Sequence, residues 1–251
     1  MNLQPNTLNR FNAITLEEMD SVALMNRTDT KFMLSIADLE DILKCLPLSY
    51  RILEVDGIRE NSYETLYYDT SDLYFYRRHH SGKKNRYKIR KRRYVESNLT
   101  FLEVKFKTNK DRTIKDRTRI PQVGQDLSEI EKNFIKEEAT LEDEFVPILW
   151  NRFKRITLVN KEWHERLTID LNLTFEVEDK AFVLENFVIA EVKQEKQNRH
   201  SPFMKEVKSR LIREDSVSKY CLGVAMLFPG VKSNNFKAKI KKLMQIENGA
   251  A

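Results

Sequence analysis

The chain has 251 residues, with 44 Lys or Arg against 38 Asp or Glu, and a formal net charge of +6. Its 41% hydrophobic and 10% aromatic content suffices for a buried core and excludes wholesale disorder. The longest apolar stretch, Val224 to Phe228, falls far short of the ~20 residues of a membrane span, and no basic flank followed by an apolar stretch marks a signal peptide near the N-terminus.

In chain order, Thr15 to Asn26 carries Leu16, Met19, Val22, Ala23 and Leu24 near helical spacing, with Thr15 and Glu18 set for a capping box. A second helix is predicted over Ile36 to Leu46, stopped by Pro47. From Tyr63 the period changes to two, and strands are predicted over Tyr63 to Asp69, Arg86 to Tyr94, Thr100 to Thr108 and Thr113 to Ile120. His79 to Lys84, with its Ser-Gly, and Asn109 to Arg112 read as hairpin connections. An acidic helix is predicted over Leu127 to Leu141. Strands follow over Arg152 to Lys161, Trp163 to Val177 (with a break near Asn172) and Asn186 to Glu195. Ser201-Pro202 opens a helix to Arg213, and a basic helix runs from Phe236 to Ile246. No Pro- or Ser-rich linker interrupts the chain, so a single domain over residues 1–251 is expected, with a core of about 10–230 and a basic C-terminal helix in 231–251.

Several chemistries drop out. Cys45 and Cys221 are far apart and in no metal-ligand spacing, so neither a disulfide scaffold nor a Cys-type zinc site is expected, and the chain reads as cytoplasmic. The 6 glycines stand singly, with no GxGxxG and no GxxxxGK[ST]. A bound phosphate would therefore be held by side chains rather than by a cradle of backbone N–H groups. The histidines, at 79, 80, 164 and 200, show no HExxH or HxxxH spacing.

What remains is a pattern of charge on the strands. Arg86, Lys88, Arg90 and Arg92 share one face; Glu103, Lys105 and Lys107 share another, against Leu102, Val104 and Phe106; Lys115, Arg117 and Arg119 share a third. Arg166, Thr168 and Asp170 oppose Leu167, Ile169 and Leu171, and Glu191, Lys193 and Glu195 oppose Ala190 and Val192. For any one strand the plain explanation is a solvated outer face. Like charges directly opposite each other destabilise a sheet, so five such strands point instead to charged faces turned inward around a wet lumen where a polyanion supplies the counter-charge. The acidic residues within this set recur as Glu103-Val-Lys105 and Glu191-Val-Lys193. A carboxylate beside phosphate-binding lysines suits a hard divalent cation, Mn²⁺ or Mg²⁺, with an ion pair along the strand as the plain alternative for either motif.

Six segments carry a resemblance: Met25-Asn-Arg-Thr-Asp-Thr-Lys-Phe32, Lys88-Ile-Arg-Lys-Arg-Arg-Tyr94, Phe101-Leu-Glu-Val-Lys105, Arg166-Leu-Thr-Ile-Asp170, Ile189-Ala-Glu-Val-Lys193 and Ser218-Lys-Tyr-Cys-Leu-Gly223. In this order, over about Arg10 to Gly230, the chain resembles the VTC domain, the polyphosphate polymerase branch of the CYTH-like triphosphate tunnel metalloenzymes. The resemblance implies an α+β fold: a closed eight-stranded antiparallel β-barrel, the triphosphate tunnel, with peripheral helices. It implies transfer of the γ-phosphate of ATP onto polyphosphate with Mn²⁺ or Mg²⁺. By the same token Arg90, Arg92, Lys105 and Arg166 would act on the transferring group. Lys31, Lys88, Lys115, Arg117, Lys193, Ser218 and Lys219 would bind substrate, and Glu191 and Glu103 are the metal candidates. The ExExK signature of the adenylate cyclase and thiamine triphosphatase branch is absent near the N-terminus. The phosphate-sensing domain and membrane spans of the eukaryotic polymerases are also missing, which leaves a separate membrane protein partner, or none. On the same fold, a triphosphatase and a non-catalytic polyanion-binding module are the alternatives. For the latter, Tyr67, Tyr68, Tyr74, Phe75 and Tyr76 could stack bases, but their apolar neighbours favour packing, and DNA or RNA is not the expected partner.

Overall fold

The computed structural model describes residues 3–4, 6–20, 28–110, 112–139, 141 and 143–249, with Asp20 by its backbone alone. The elements run β1 (Asn12–Ile14), α1 (Leu16–Asp20), β2 (Thr28–Ser35), α2 (Ile36–Cys45), β3 (Tyr50–Leu53), β4 (Asn61–Asp69), α3 (Tyr74–His80), β5 (Arg86–Tyr94) and β6 (Leu99–Lys107). They continue with β7 (Thr113–Arg119), α4 (Glu129–Ala139), β8 (Val146–Asn160), β9 (Glu165–Val177), β10 (Lys180–Leu184), β11 (Phe187–Gln194), α5 (Pro202–Ser209), α6 (Lys219–Leu227) and α7 (Lys237–Glu247).

The first helix starts where its capping box places it. The Thr15 N–H donates to Glu18 Oε2 at 2.8 Å and the Glu18 N–H donates to Thr15 Oγ1 at 3.2 Å. Val22, Ala23, Leu24 and the Met25–Arg27 part of the first quoted segment lie outside the described residues. Helix α2 is likewise set by a reciprocal box between Ser35 and Asp38. Between β4 and β5 the structure differs from the expected hairpin: α3 intervenes and buries Phe75, Tyr76 and His80. Its entry is a left-handed Leu73 (φ 59°), and the Asp69 carboxylate accepts from the Phe75 and Tyr76 N–H groups at 2.8 and 2.9 Å. Nor does β9 break at Asn172. That residue adopts φ 51°, and the β8–β9 register shifts across the sheet between Arg152 and Lys154, so the disturbance is absorbed as a bulge.

Eight strands form one antiparallel path in the order β2-β11-β9-β8-β4-β5-β6-β7; β10 extends β9, while β3 pairs β8 and carries β1 in parallel. Residues from all eight strands line a common cavity, so the sheet curls around it. The ring is not closed by hydrogen bonds: no ladder among the described residues joins β7 to β2. This corrects the closed barrel, and the reason lies at the outer edge of β2. There Phe32 bridges Glu214 and the Asp215 N–H donates to the Lys31 carbonyl at 2.8 Å, so the segment after α5 occupies the edge that β7 would need.

Apolar residues of the convex face are covered by helices. Ile36, Leu39, Ile42 and Leu43 of α2, with Phe203 and Val207 of α5, pack on Phe32, Leu34, Ile169 and Val188. Ile135 and Ala139 of α4 cover Leu66, Ile89, Leu102 and Val104. Each such fully buried aliphatic contributes about 1.5–3 kcal/mol. Helix α6 enters the concave side: Tyr220, Leu222 and Val224 pack with Tyr63, Tyr67, Leu149, Phe175 and Ile189, and α7 adds Leu243 and Ile246. A Cβ on Gly223 would lie 2.4 Å from Leu149 Cδ2, so only glycine lets α6 approach β8 this closely. No helix among the described residues is long and apolar enough to cross a membrane.

Candidate functional site

Strand register carries the basic stripes to one wall. Lys88 stands opposite Lys105, and Lys105 opposite Lys115; Arg90 faces Glu103, which faces Arg117 in turn. On the other side of the curl, Lys193 stands opposite Arg166 and Asp29, and Glu191 opposite Lys31. Because side chains alternate with period two, these pairs share the concave face. Lys31, Lys88, Arg90, Arg92, Lys105, Lys115, Arg117, Arg166, Glu191, Lys193, Ser218 and Lys219 all line one cavity of about 520 Å³. Eleven basic side chains against four carboxylates surround it. That surplus of seven exceeds the +6 of the entire chain, so the positive charge is concentrated in this cavity.

Carboxylates pin the cations in place. Glu103 has no exposed side-chain surface and takes Arg90 Nε at 2.6 Å and Lys115 Nζ at 2.6 Å. Burial alone would raise its pKa, but Arg90, Arg92 and Lys115 overcome that and hold it well below the usual carboxylate range. It is not among the residues of the cavity wall, and its carboxylate faces Arg90 through one oxygen and Lys115 through the other. Glu103 is thus ion-paired within the crowded basic strands, the alternative open to this motif, while Glu191 is the metal candidate that lines the cavity. Asp170, 5% exposed, accepts from Arg155 Nη2 at 2.8 Å and from Lys219 Nζ. Against the opposing effect of burial, these two cations hold its carboxyl far below its ordinary value. Glu191 pairs with Lys193 and, at 3.4 Å, with Lys31; it too stays ionised against the effect of burial.

Lys88 and Lys105 are less fully compensated. Burial, and then Lys31, Lys105 and Arg90, push the Lys88 ammonium down to about 7, and burial with Lys31 and Arg90 pushes Lys105 down to about 8. Lys88 Nζ donates to Ser218 Oγ at 3.1 Å, and Lys31 Nζ to the Val217 carbonyl at 3.3 Å. Ser218 caps α6, its Oγ accepting from the Cys221 N–H, so the start of that helix carries Ser218 and Lys219 into the cavity. Arg92 Nε donates to Thr65 Oγ1 at 3.1 Å, and its guanidinium lies 5.6 Å from the Tyr63 and Phe153 ring centres.

Among the described residues no three His, Cys, Asp or Glu side chains gather to hold a metal by themselves. The donor set still fits a hard cation that takes most of its ligands from water and phosphate. Glu191 offers an ionised carboxylate on the wall, and one or two carboxylates suffice for Mg²⁺-type sites.

Arg155 was not legible as a site residue, because its period-two neighbours in β8 are Phe153 and Thr157 rather than further cations, and the register shift between Arg152 and Lys154 breaks any basic stripe. Its signal was indirect, an inward Asp170 in need of a partner. Asp29 is also on the cavity wall. Of the aromatics considered for base stacking, Tyr67, Tyr68, Phe75 and Tyr76 are buried and only Tyr74 is exposed, at 39%, so they pack rather than stack.

A family described as the VTC domain matches residues 26–228. No curated protein matches the sequence. Among solved structures, the chain is similar to a putative adenylyl cyclase from Hippeastrum described as having a dominant triphosphatase activity. That likeness has a TM-score of 0.53 and 17% identity, and covers 82% of this chain and 98% of that one. Putative adenylate cyclases from Bacillus halodurans and Vibrio parahaemolyticus also match. The first has a TM-score of 0.47 and 11% identity and covers 81% of this chain and 100% of that one. The second has a TM-score of 0.44 and 10% identity and covers 78% and 95%.

Proposed function

The chain belongs to the VTC domain family, and from that premise we propose that it is a phosphotransferase that makes inorganic polyphosphate from the γ-phosphate of ATP. The observation that carries this reading is the cavity lined by seven more basic than acidic side chains. A triphosphate of three to four negative charges is the ligand that such a wall suits, and the enclosed position of the charge disfavours duplex DNA or RNA, which needs an outer basic surface.

Phosphoryl transfer asks little covalent work of a protein and much positioning and charge stabilisation. Arg90, Arg92 and Arg166 present forked guanidinium donors to the oxygens of the γ-phosphoryl group, and Lys105 adds a compact charge. Lys31, Lys88, Lys115, Arg117, Lys193, Ser218 and Lys219 hold the rest of the triphosphate and the acceptor. A terminal oxygen of phosphate or polyphosphate attacks the γ-phosphorus in line. The bond from that phosphorus to the bridging oxygen of ADP breaks, and ADP leaves with the electron pair. The family implies a divalent cation; Glu191 would hold it, and when bound it would supply neutralisation of the triphosphate oxygens. Glu103 and Asp170 keep the arginines and lysines oriented before substrate arrives, so little reorganisation is needed when it does.

Hydrolysis is the second reading, favoured by the likeness in fold to the Hippeastrum protein with its triphosphatase activity. Incubation with ATP and Mn²⁺, followed by a gel resolving long-chain polyphosphate beside an assay of released phosphate, separates the two. Polyphosphate ladders support the transferase, orthophosphate alone the triphosphatase, and neither product a polyanion-binding module.

A further inference from the structure

A second chamber, of about 820 Å³, opens beside the first between β2, β5, β6, the C-terminal end of α3 and residues 214–218. Asp29, Lys31, Lys88, Lys105, Val217 and Ser218 belong to both and form their common wall. The second chamber adds His79, Arg86 and Lys107, none of which has a part in the transfer described above. Two nitrogens here are buried without a hydrogen-bond partner among the described residues: His79 Nε2 and Arg86 Nε. Native proteins leave few such atoms, and each asks for a ligand or a reason.

The surroundings specify the ligand's charge. Burial, then Lys88, Arg86, Lys105 and Lys107, push the His79 imidazole far down, so it stays neutral. The same four cations exclude a metal ion from this imidazole. The chamber's carboxylates are Asp29, Glu214 and Asp215, and Asp215 already faces Lys239 at 3.8 Å and Lys242 at 3.5 Å. An oxyanion answers both orphaned groups, accepting from Arg86 Nε and from the imidazole after a small turn about its broad χ2 torsion.

We propose that this chamber is a second oxyanion subsite, taking a group of the phosphate class against His79 and Arg86. The choice of phosphate rests on the proposed function; the existence of the subsite does not. The test is calorimetric titration of the full chain with orthophosphate after the first cavity is saturated with an imidotriphosphate analogue of ATP. The wild type should still bind about one equivalent of phosphate. His79→Phe, which keeps the ring and removes both nitrogens, should weaken that binding about tenfold or more, as should Arg86→Met, with affinity for the analogue unchanged within about twofold. Should His79→Phe fail to fold, Arg86→Met carries the test alone. Repeating the titration with tripolyphosphate identifies the source: equal dependence on His79 means a chain end enters the chamber, and binding of orthophosphate alone means free phosphate does. The proposal is overturned if the analogue abolishes all phosphate binding, or if both variants keep wild-type phosphate affinity. Loss of analogue binding with a surviving, His79-dependent phosphate site would refute the transferase and leave the subsite standing.

Discussion

Replacing Asp170 with Asn tests whether the cavity is held open by its own counter-ions. Asp170 is 5% exposed and lies between Arg155, bound through two nitrogens, and Lys219. The amide keeps the shape and removes the charge, leaving two buried cations facing Arg92 and each other. Removing one partner of a buried ion pair costs about 3–5 kcal/mol, and in a chain of this length about 2–4 °C accompanies each kcal/mol. The melting temperature of Asp170→Asn should therefore fall by about 6–20 °C at pH 7. Tripolyphosphate brings back negative charge, so it should raise the melting temperature more in the variant than in the wild type. At one hundred times its Kd the wild-type gain is about 2.7 kcal/mol. Because the Asp170 pKa is lowered on folding, its stabilisation is present above the unfolded value of about 4 and is lost as pH falls below it. The difference between variant and wild type should shrink accordingly at acid pH. Differential scanning fluorimetry across pH 3–8 reads all three effects. A variant melting within about 2 °C of the wild type at pH 7, with the same response to tripolyphosphate, would refute the counter-ion account.

Lys88 and Lys105, pushed down to about 7 and about 8, are partly neutral at pH 8, and a bound triphosphate restores their protons. Calorimetry at pH 8 in buffers of different ionisation enthalpy should show proton uptake that vanishes for these lysines near pH 6; stability in the absence of anion should rise from pH 7 towards 10, since the unfolded lysines keep their protons there. Glu191→Gln should lose at least about tenfold in turnover while keeping most of the affinity for ATP, and full activity in this variant would remove Glu191 from the metal assignment. Truncation after Gly230 deletes the buried Leu243 and Ile246, so the melting temperature should fall by at least about 6 °C, with binding to anionic vesicles unchanged. Gly223→Ala forces a methyl to 2.4 Å from Leu149 Cδ2 and should cost about 1–3 kcal/mol in chemical denaturation.

Strands β5, β6, β7, β9 and β11 were legible because their charges repeat with period two, and Leu102, Val104 and Ile169 mark the opposite parity. The same rule assigns Lys88, Arg90, Arg92 and Lys105 to inward faces from the sequence alone. It fails where meaning depends on a neighbour distant in sequence. Glu103-Val-Lys105 and Glu191-Val-Lys193 are identical tripeptides. Yet Glu103 falls between Arg90 and Arg117 and is buried as a counter-ion, while Glu191 falls between Lys31 and Thr168 and reaches the cavity. Helix α3 was hidden because Tyr74–His80 is short, aromatic and basic, and its start is fixed by Asp69 rather than by an adjacent cap. The occupied edge of β2 was equally unreadable: only the folded chain brings Glu214 and Asp215 alongside Phe32 and Lys31.

The central claim is that the concave wall binds a triphosphate through side chains. A crystal structure with tripolyphosphate tests it most directly. The predicted result is phosphate oxygens within hydrogen-bond distance of Arg90, Arg92, Lys105 and Arg166, with no backbone N–H cradle. An anion bound on the convex face or at a surface lysine, with this wall still paired only to its own carboxylates, would contradict it.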